Sequence, residues 1–270
     1  MDFSNIIIYT DMDGTVLTDW TMGPVVPQRN MAAIQRFMDK GGTFSVASGR
    51  QHLDILPFFN GLLPNAPLVQ GNGTSIYDCR AEKVLYTLPL PREYKEEALK
   101  MCRENPWVWP VVGNVSTVMQ VLLGDFRDTD NQSLTGKWIS PQDYLEQNIS
   151  KIVYVVKDPA DIPRLRELTD AFASAPLMQQ TLSSPIFLEC YDKGAGKDSG
   201  VRIAMELAGM TDKTLVCIGD FYNDVPMLRI ADIAACPANS PDDIKSMCQI
   251  ITCSNNDGAL ADLIEVLEKM

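Results

Sequence analysis

The stretch IIIYTDMDGT, Ile6–Thr15, decides how the rest of the chain is read. Ile6–Thr10 is a continuous, largely apolar run, as expected of a strand buried on both faces of a parallel sheet. It leads directly into Asp11 and Asp13. A second run does the same far along the chain: TLVCIGDFYND, Thr214–Asp224, ends in Asp220, Asn223 and Asp224. In an open parallel sheet the carboxyl ends of the strands share one edge, and ligands bind there. Carboxylates from opposite ends of the chain should therefore meet at that edge. One aspartate after a strand is ordinarily a helix cap or a solvated turn. Two with near-identical approaches, each with another acid close behind, point to a shared acidic site.

The flanking sequence alternates strand-like runs with helix-period stretches, the pattern of an α/β protein. A helix is expected from about Pro27, with Met31, Ile34, Phe37 and Met38 on one face and Gly41 ending it. Thr43–Ala47 reads as the next strand and Gln51–Phe59 as helical. The alternation resumes late, with Val201, Ala204, Met205 and Ala208 on one helix face, a strand at Thr214–Ile218, and Leu260, Leu263, Ile264 and Leu267 striping a last helix. Between them, after the turn-rich GNGTSIYD (Gly71–Asp78), lies a segment with its own alternation. Helices are expected at Pro91–Cys102 and Ile162–Phe172. Strands are expected at Val108–Val112, Val118–Leu123, Ile152–Val156, Leu177–Leu182 and Ile186–Cys190, with a polar loop at Gly124–Lys137. The expectation is a doubly wound, Rossmann-like parallel core formed by 1–83 and 191–270, interrupted by an inserted α/β domain at 84–190.

Composition narrows the function classes. The 270 residues are 46% apolar and 21% charged, ordinary for a globular protein with a sizeable core. No apolar stretch approaches the roughly 18–20 residues that span a bilayer. The N-terminus has no basic segment before its apolar run and reads as a first strand rather than a signal peptide. With 23 Lys and Arg against 35 Asp and Glu, the formal charge is −12, which argues against nucleic acid or an anionic membrane as partner. Seven cysteines without a CxxC pair suit free thiols in a reducing compartment, hence a cytoplasmic protein. The single histidine, His52, excludes a multi-histidine metal site. No long heptad or obvious apolar patch is present, so a monomer or a weak homo-oligomer is expected.

The motifs then combine into a resemblance. DMDGT after an apolar strand resembles the first signature of the haloacid dehalogenase superfamily. VASGR (Val46–Arg50) resembles the second, Lys197 the third and GDFYND the fourth, all in the superfamily's order. The α/β insertion between the second and third resembles the cap domain of the Cof-type phosphatases, a branch that includes sugar phosphatases. The resemblance implies that Asp11 is a nucleophile forming an aspartyl-phosphate, a covalent intermediate that splits one hard displacement into two. It implies that Asp13 protonates the leaving oxygen and then deprotonates the hydrolytic water. That role requires Asp13 to start protonated, which neighbouring carboxylates would favour. It places Met12 (through its backbone N–H), Ser48, Gly49, Lys197 and Asn223 on the substrate phosphate. It implies a metal held by Asp11, the Asp13 carbonyl and Asp220, with Asp224 behind them orienting water or Lys197. One spacing departs from the family's habit: Lys193-Gly194 precedes Lys197, so two lysines compete for the third motif.

Elementary electrostatics supports a cation at this edge. A phosphomonoester dianion approaching Asp11, Asp13, Asp220 and Asp224 is repelled, like charges ~4 Å apart costing roughly 4 kcal/mol per pair at an effective dielectric of ~20. With oxygen ligands on offer and no local His or Cys, a hard ion such as Mg²⁺ is favoured over Zn²⁺. Ser48 and Gly49, where a strand turns into a helix, can present a hydroxyl and N–H groups to phosphate oxygens. The expectation is a Mg²⁺-dependent phosphatase acting on small phosphorylated metabolites, sugar phosphates foremost. The rivals are a phosphomutase using the same intermediate and a non-catalytic ligand-binding protein. Other signals fail: GAGKDS (Gly194–Ser199) lacks the first P-loop glycine, that position being Tyr191, and GNGTS reads as a hairpin turn. Trp107, Trp109 and Trp138 fall in the insertion, where packing is the ordinary role and stacking on a sugar the alternative.

Overall fold

In the computed structural model the described residues are 2–114, 120–123 and 138–270. The chain divides into two compact units, Met1–Tyr86 with Gly196–Met270, and Thr87–Ala195. The first unit begins with β1 (Ile6–Thr10), α1 (Gln28–Asp39), β2 (Thr43–Val46), α2 (His52–Ile55), β3 (Leu68–Gln70), β4 (Ser75–Asp78) and β5 (Lys83–Thr87). The second holds α3 (Arg92–Glu104), β6 (Trp109–Asn114), β7 (Gln120–Val121), α4 (Pro141–Glu146), β8 (Ile149–Val155), α5 (Ile162–Asp170), β9 (Met178–Ser184) and β10 (Phe187–Asp192). The chain then returns with α6 (Lys197–Ala208), β11 (Thr214–Ile218), α7 (Val225–Ile230), β12 (Ile233–Pro237), α8 (Asp242–Lys245), β13 (Ile250–Thr252) and α9 (Ala259–Leu267).

The first unit is built on a parallel sheet of order β13-β12-β11-β1-β2. Successive strands progress outward in opposite directions from the β1/β11 pair, which makes that pair the switch point of a doubly wound fold. Strand alternation sorts the apolar side chains into two layers. Ile8, Phe44, Val46, Val216 and Ile218 pack with Ala33, Ile34 and Phe37 of α1 and with Leu260, Leu263 and Ile264 of α9. Ile7, Tyr9, Leu215 and Cys217 pack on the other face with Val201, Ala204 and Met205 of α6, Met227 and Leu228 of α7 and Ile244 of α8. Burial on both faces is why these strands read as unbroken apolar runs. Thr10 pairs with Ile218 in register, and the Asp11 N–H donates to the Ile218 carbonyl at 2.9 Å. Both strands therefore end level, at the edge where their acids emerge.

The second unit is an antiparallel sheet of order β7-β6-β8-β10-β9. Even positions of β8 (Ile152, Tyr154) pack with Tyr94, Ala98 and Cys102 of α3, Tyr144 of α4 and Leu165 of α5. Odd positions (Val153, Val155) lie with Trp109, Val111 and Val121 on the other face.

Several local expectations shift. The segment expected as one helix over Gln51–Phe59 is the four-residue α2 followed by a 3-10 turn at Leu56–Phe59. Pro57 has no N–H to continue an α-helix, which accounts for the break. The unit boundaries fall at Tyr86/Thr87 and Ala195/Gly196, where 83/84 and 190/191 were expected. β5 lies in the three-stranded sheet β3-β4-β5, which carries the first boundary onward. β10 runs to Asp192 and the Lys193 N–H donates to the Leu177 carbonyl at 2.9 Å, which carries the second. The polar loop Gly124–Lys137 lies outside the described residues, as does part of the strand expected at Val118–Leu123. No helix among the described residues is long and apolar enough to cross a membrane, and all seven cysteines are free.

Candidate active site

Lys197 opens α6 and is almost fully buried, at 1% exposure. Its ammonium hydrogen-bonds both the Asp11 Oδ1 and the Asp224 Oδ1. Lys193, the competing lysine, is exposed. A backbone contact seats the start of α6. Gly73, in the turn joining β3 to β4, has φ +92°, and a β-carbon there would stand 2.0 Å from the Gly196 carbonyl oxygen. Only glycine lets that turn abut the start of α6.

Asp224 is fully buried, and both its oxygens are engaged. Oδ1 takes Lys197, and Oδ2 accepts the N–H groups of Asp220 (3.1 Å) and Phe221 (3.2 Å). Asp224 thus shapes the loop that presents Asp220. The Thr15 hydroxyl donates to the Asp220 Oδ1 at 3.0 Å, tying the loop after β11 to the loop after β1. One carboxylate oxygen from each of Asp11, Asp220 and Asp224 lies within 4.8 Å of the others.

Three carboxylates around one ammonium leave the cluster with excess negative charge. Burial, then the Asp224 charge, pushes the Asp11 carboxyl well above its usual range against the pull of Lys197. Burial and Asp224 likewise push Asp220 up to about 6, against the Thr15 hydrogen bond. Burial works against the charge on Lys197, but Asp11 and Asp224 outweigh it and hold the ammonium protonated. Such a site favours a further cation. The donor set is all oxygen, which suits a hard divalent ion. Asp224 is already engaged, so Asp11 and Asp220 are the carboxylates free to ligate.

The remaining candidates sit around this cluster. Met12 has its side chain in the core, so its backbone is the part left for a ligand. Ser48 is buried; its Oγ accepts the Arg50 N–H at 3.1 Å and keeps its own proton to donate. Gly49 follows it in the turn between β2 and α2, and Asn223 is exposed on the turn after Asp220. Asp13 stands apart from the three clustered acids. The sequence suggests carboxylates as its neighbours, but its partner is a cation: Arg50 Nε and Nη2 reach its two oxygens at 2.8 and 2.7 Å. Arg50 and Thr15 are the contributors that the motif reading passed over, although both lie within the quoted stretches VASGR and DMDGT. His52 is buried, stacked on Tyr77 at 3.8 Å with Nδ1 3.1 Å from Gln70 Oε1, and is not among the acidic cluster.

Comparison with known proteins gives the family. The haloacid dehalogenase-like hydrolase family matches over residues 8–264, and the chain belongs to that family. A phosphatase of Haemophilus influenzae, so named provisionally, is 26% identical over 96% of both chains. A pyridoxal phosphate phosphatase of Escherichia coli is 23% identical over 96% of this chain and 97% of its own. A 5-amino-6-(5-phospho-D-ribitylamino)uracil phosphatase of Bacillus subtilis is 24% identical over 96% and 94%. The fold is shared with a solved protein of Thermotoga maritima, at TM-score 0.81, 19% identity and 96% coverage of each chain. It is also shared with a sugar phosphatase of subclass IIB of the superfamily, at TM-score 0.76, 17% identity and 98% and 99% coverage.

Proposed function

We propose that this chain is a Mg²⁺-dependent phosphatase that hydrolyses small phosphorylated metabolites, sugar phosphates foremost, through an aspartyl-phosphate on Asp11. The observation that carries the reading is the buried Lys197 bridging Asp11 and Asp224 beside Asp220 at the β1/β11 switch point. Binding alone does not call for a nucleophile-like buried carboxylate with a second acid two residues on. The relatives named as phosphatases of pyridoxal phosphate and of a ribityl phosphate, and the sugar phosphatase sharing the fold, support the substrate class.

In this mechanism an Asp11 oxygen attacks phosphorus and the ester P–O bond breaks. The leaving oxygen takes a proton from Asp13, which must first be protonated in spite of its ion pair with Arg50. Water then attacks the acyl-phosphate, its proton passes to Asp13, and the Asp11 carboxylate is released with inorganic phosphate. A positioned acid/base of this kind is typically worth about 10²–10⁴-fold. Lys197 holds Asp11 in place and offsets the incoming dianion, while the Ser48 hydroxyl, the Met12 and Gly49 backbone and Asn223 provide donors for phosphate oxygens. A Mg²⁺ held by Asp11, Asp220 and the Asp13 carbonyl would supply the positive charge that the cluster lacks. Asp224 stands behind, fixing Lys197 and the Asp220 loop. The test is a panel of phosphorylated metabolites assayed for inorganic phosphate with and without Mg²⁺. Metal-dependent release supports the reading, and isomerised sugar phosphate without release would indicate a phosphomutase.

A further inference from the structure

We infer that Arg50 is a positioning residue for Asp13, holding its carboxylate in the orientation that activates water in the dephosphorylation step. The inference rests on the phosphatase reading and deepens it. The pairing is two-pronged, Nε to Oδ2 at 2.8 Å and Nη2 to Oδ1 at 2.7 Å, so the planar guanidinium sets the plane of the carboxylate as well as its place.

Arg50 is itself held at both ends. Its N–H donates to the Ser48 Oγ at 3.1 Å, and its carbonyl accepts the Gly71 N–H at 3.1 Å. Its guanidinium lies 5.1 Å from the Trp20 ring centroid and 5.4 Å from that of Phe58, each within cation–π range. The Asp13 side chain is 41% exposed against 19% for Arg50, so without the fork the carboxylate would turn freely in solvent.

Each Asp13 oxygen gives one lone pair to Arg50 and keeps another. A carboxylate so held is suited to accept a proton from a water placed for attack. When that water attacks the acyl-phosphate, the bond from phosphorus to the Asp11 oxygen breaks. Its electron pair returns to Asp11, and the water's proton goes to Asp13. Phosphorylation of Asp11 by an aryl phosphate needs no proton donor, because the phenolate leaves unaided. A role for Arg50 confined to positioning Asp13 for water should therefore appear in the second step alone.

The full chain with Mg²⁺ and para-nitrophenyl phosphate, followed by stopped flow, separates the steps. For Arg50→Gln we expect a burst of nitrophenolate and accumulation of phosphoenzyme. Steady kcat should fall about 10–10²-fold, with KM falling in parallel and kcat/KM staying within about twofold of wild type. Arg50→Lys should recover only part of kcat, because an ammonium cannot match both oxygens. Trp20→Ala, an exposed ring that does not touch Asp13, should act in the same direction by about two- to fivefold and keeps the inference testable if Arg50→Gln fails to fold. Unchanged kcat in these variants, or kcat and kcat/KM falling together without a burst, overturns the role of Arg50. Wild-type turnover that survives Asp11→Asn overturns the phosphatase mechanism instead, and an inactive wild type overturns both.

Discussion

A β-carbon on Gly14 would stand 2.4 Å from Asp220 Oδ2, so the loops after β1 and β11 close on each other at a position that only glycine can fill. Gly14 also has φ +77°, a left-handed conformation that strains any β-carbon. Gly14→Ala should lower stability by about 1–3 kcal/mol from strain and displaced contact. It should also move Asp220 off its hydrogen bond to Thr15, raising the Mg²⁺ concentration needed for half-maximal activity. Urea unfolding and a metal titration of phosphate release check the two effects, and wild-type metal dependence would show that Asp220 is not displaced.

Asp11→Asn should abolish phosphate release while the protein stays folded, since an amide cannot form the acyl-phosphate. Removing one of three crowded carboxylates should leave Tm unchanged or higher without metal. Asp13→Asn should slow both half-reactions. Phosphate assays with circular dichroism test the pair, and unimpaired release by Asp11→Asn would sink the mechanism.

Metal and pH should be linked at Asp220. Its pKa rises in the fold to about 6, so its stabilising contribution is full below the ordinary carboxylate range and is lost as pH rises through about 6. A cation competes with that proton. Mg²⁺ should therefore raise Tm more at about pH 8 than at about pH 5, and Asp220→Asn should lose most of that difference. Chelation should remove activity and Mg²⁺ restore it. Equal Tm shifts at both pH values would contradict the charge argument.

Lys197→Met should cost on the order of 3–5 kcal/mol near neutral pH, because it leaves Asp11 and Asp224 buried without their cation. Adding Asp224→Asn should recover part of that loss by removing one stranded charge. Urea denaturation of the single and double variants measures the coupling, and additive effects would mean that the two side chains act independently.

Much of the core was legible because burial on both faces writes itself as an unbroken apolar run. The strand expected at Thr214–Ile218 is β11 residue for residue, and the stripe Ile34, Phe37 belongs to α1 as its spacing predicts. The sequence alone sets Asp11 and Asp220 together, since strands of one parallel sheet deliver their carboxyl ends to one edge. The acids of the two motifs by themselves also pointed to oxygen ligands for any metal there. Tertiary structure alone decided the rest. That Lys197 rather than Lys193 meets the acids follows from where the start of α6 is seated, against the turn at Gly73, in a contact between segments that no local period encodes. The pairing of Asp13 with Arg50 spans 37 residues and exists because the sheet sets the loops after β1 and β2 side by side. Periodicity reports what each element buries, whereas the partner of a polar side chain is set by strand order and loop packing.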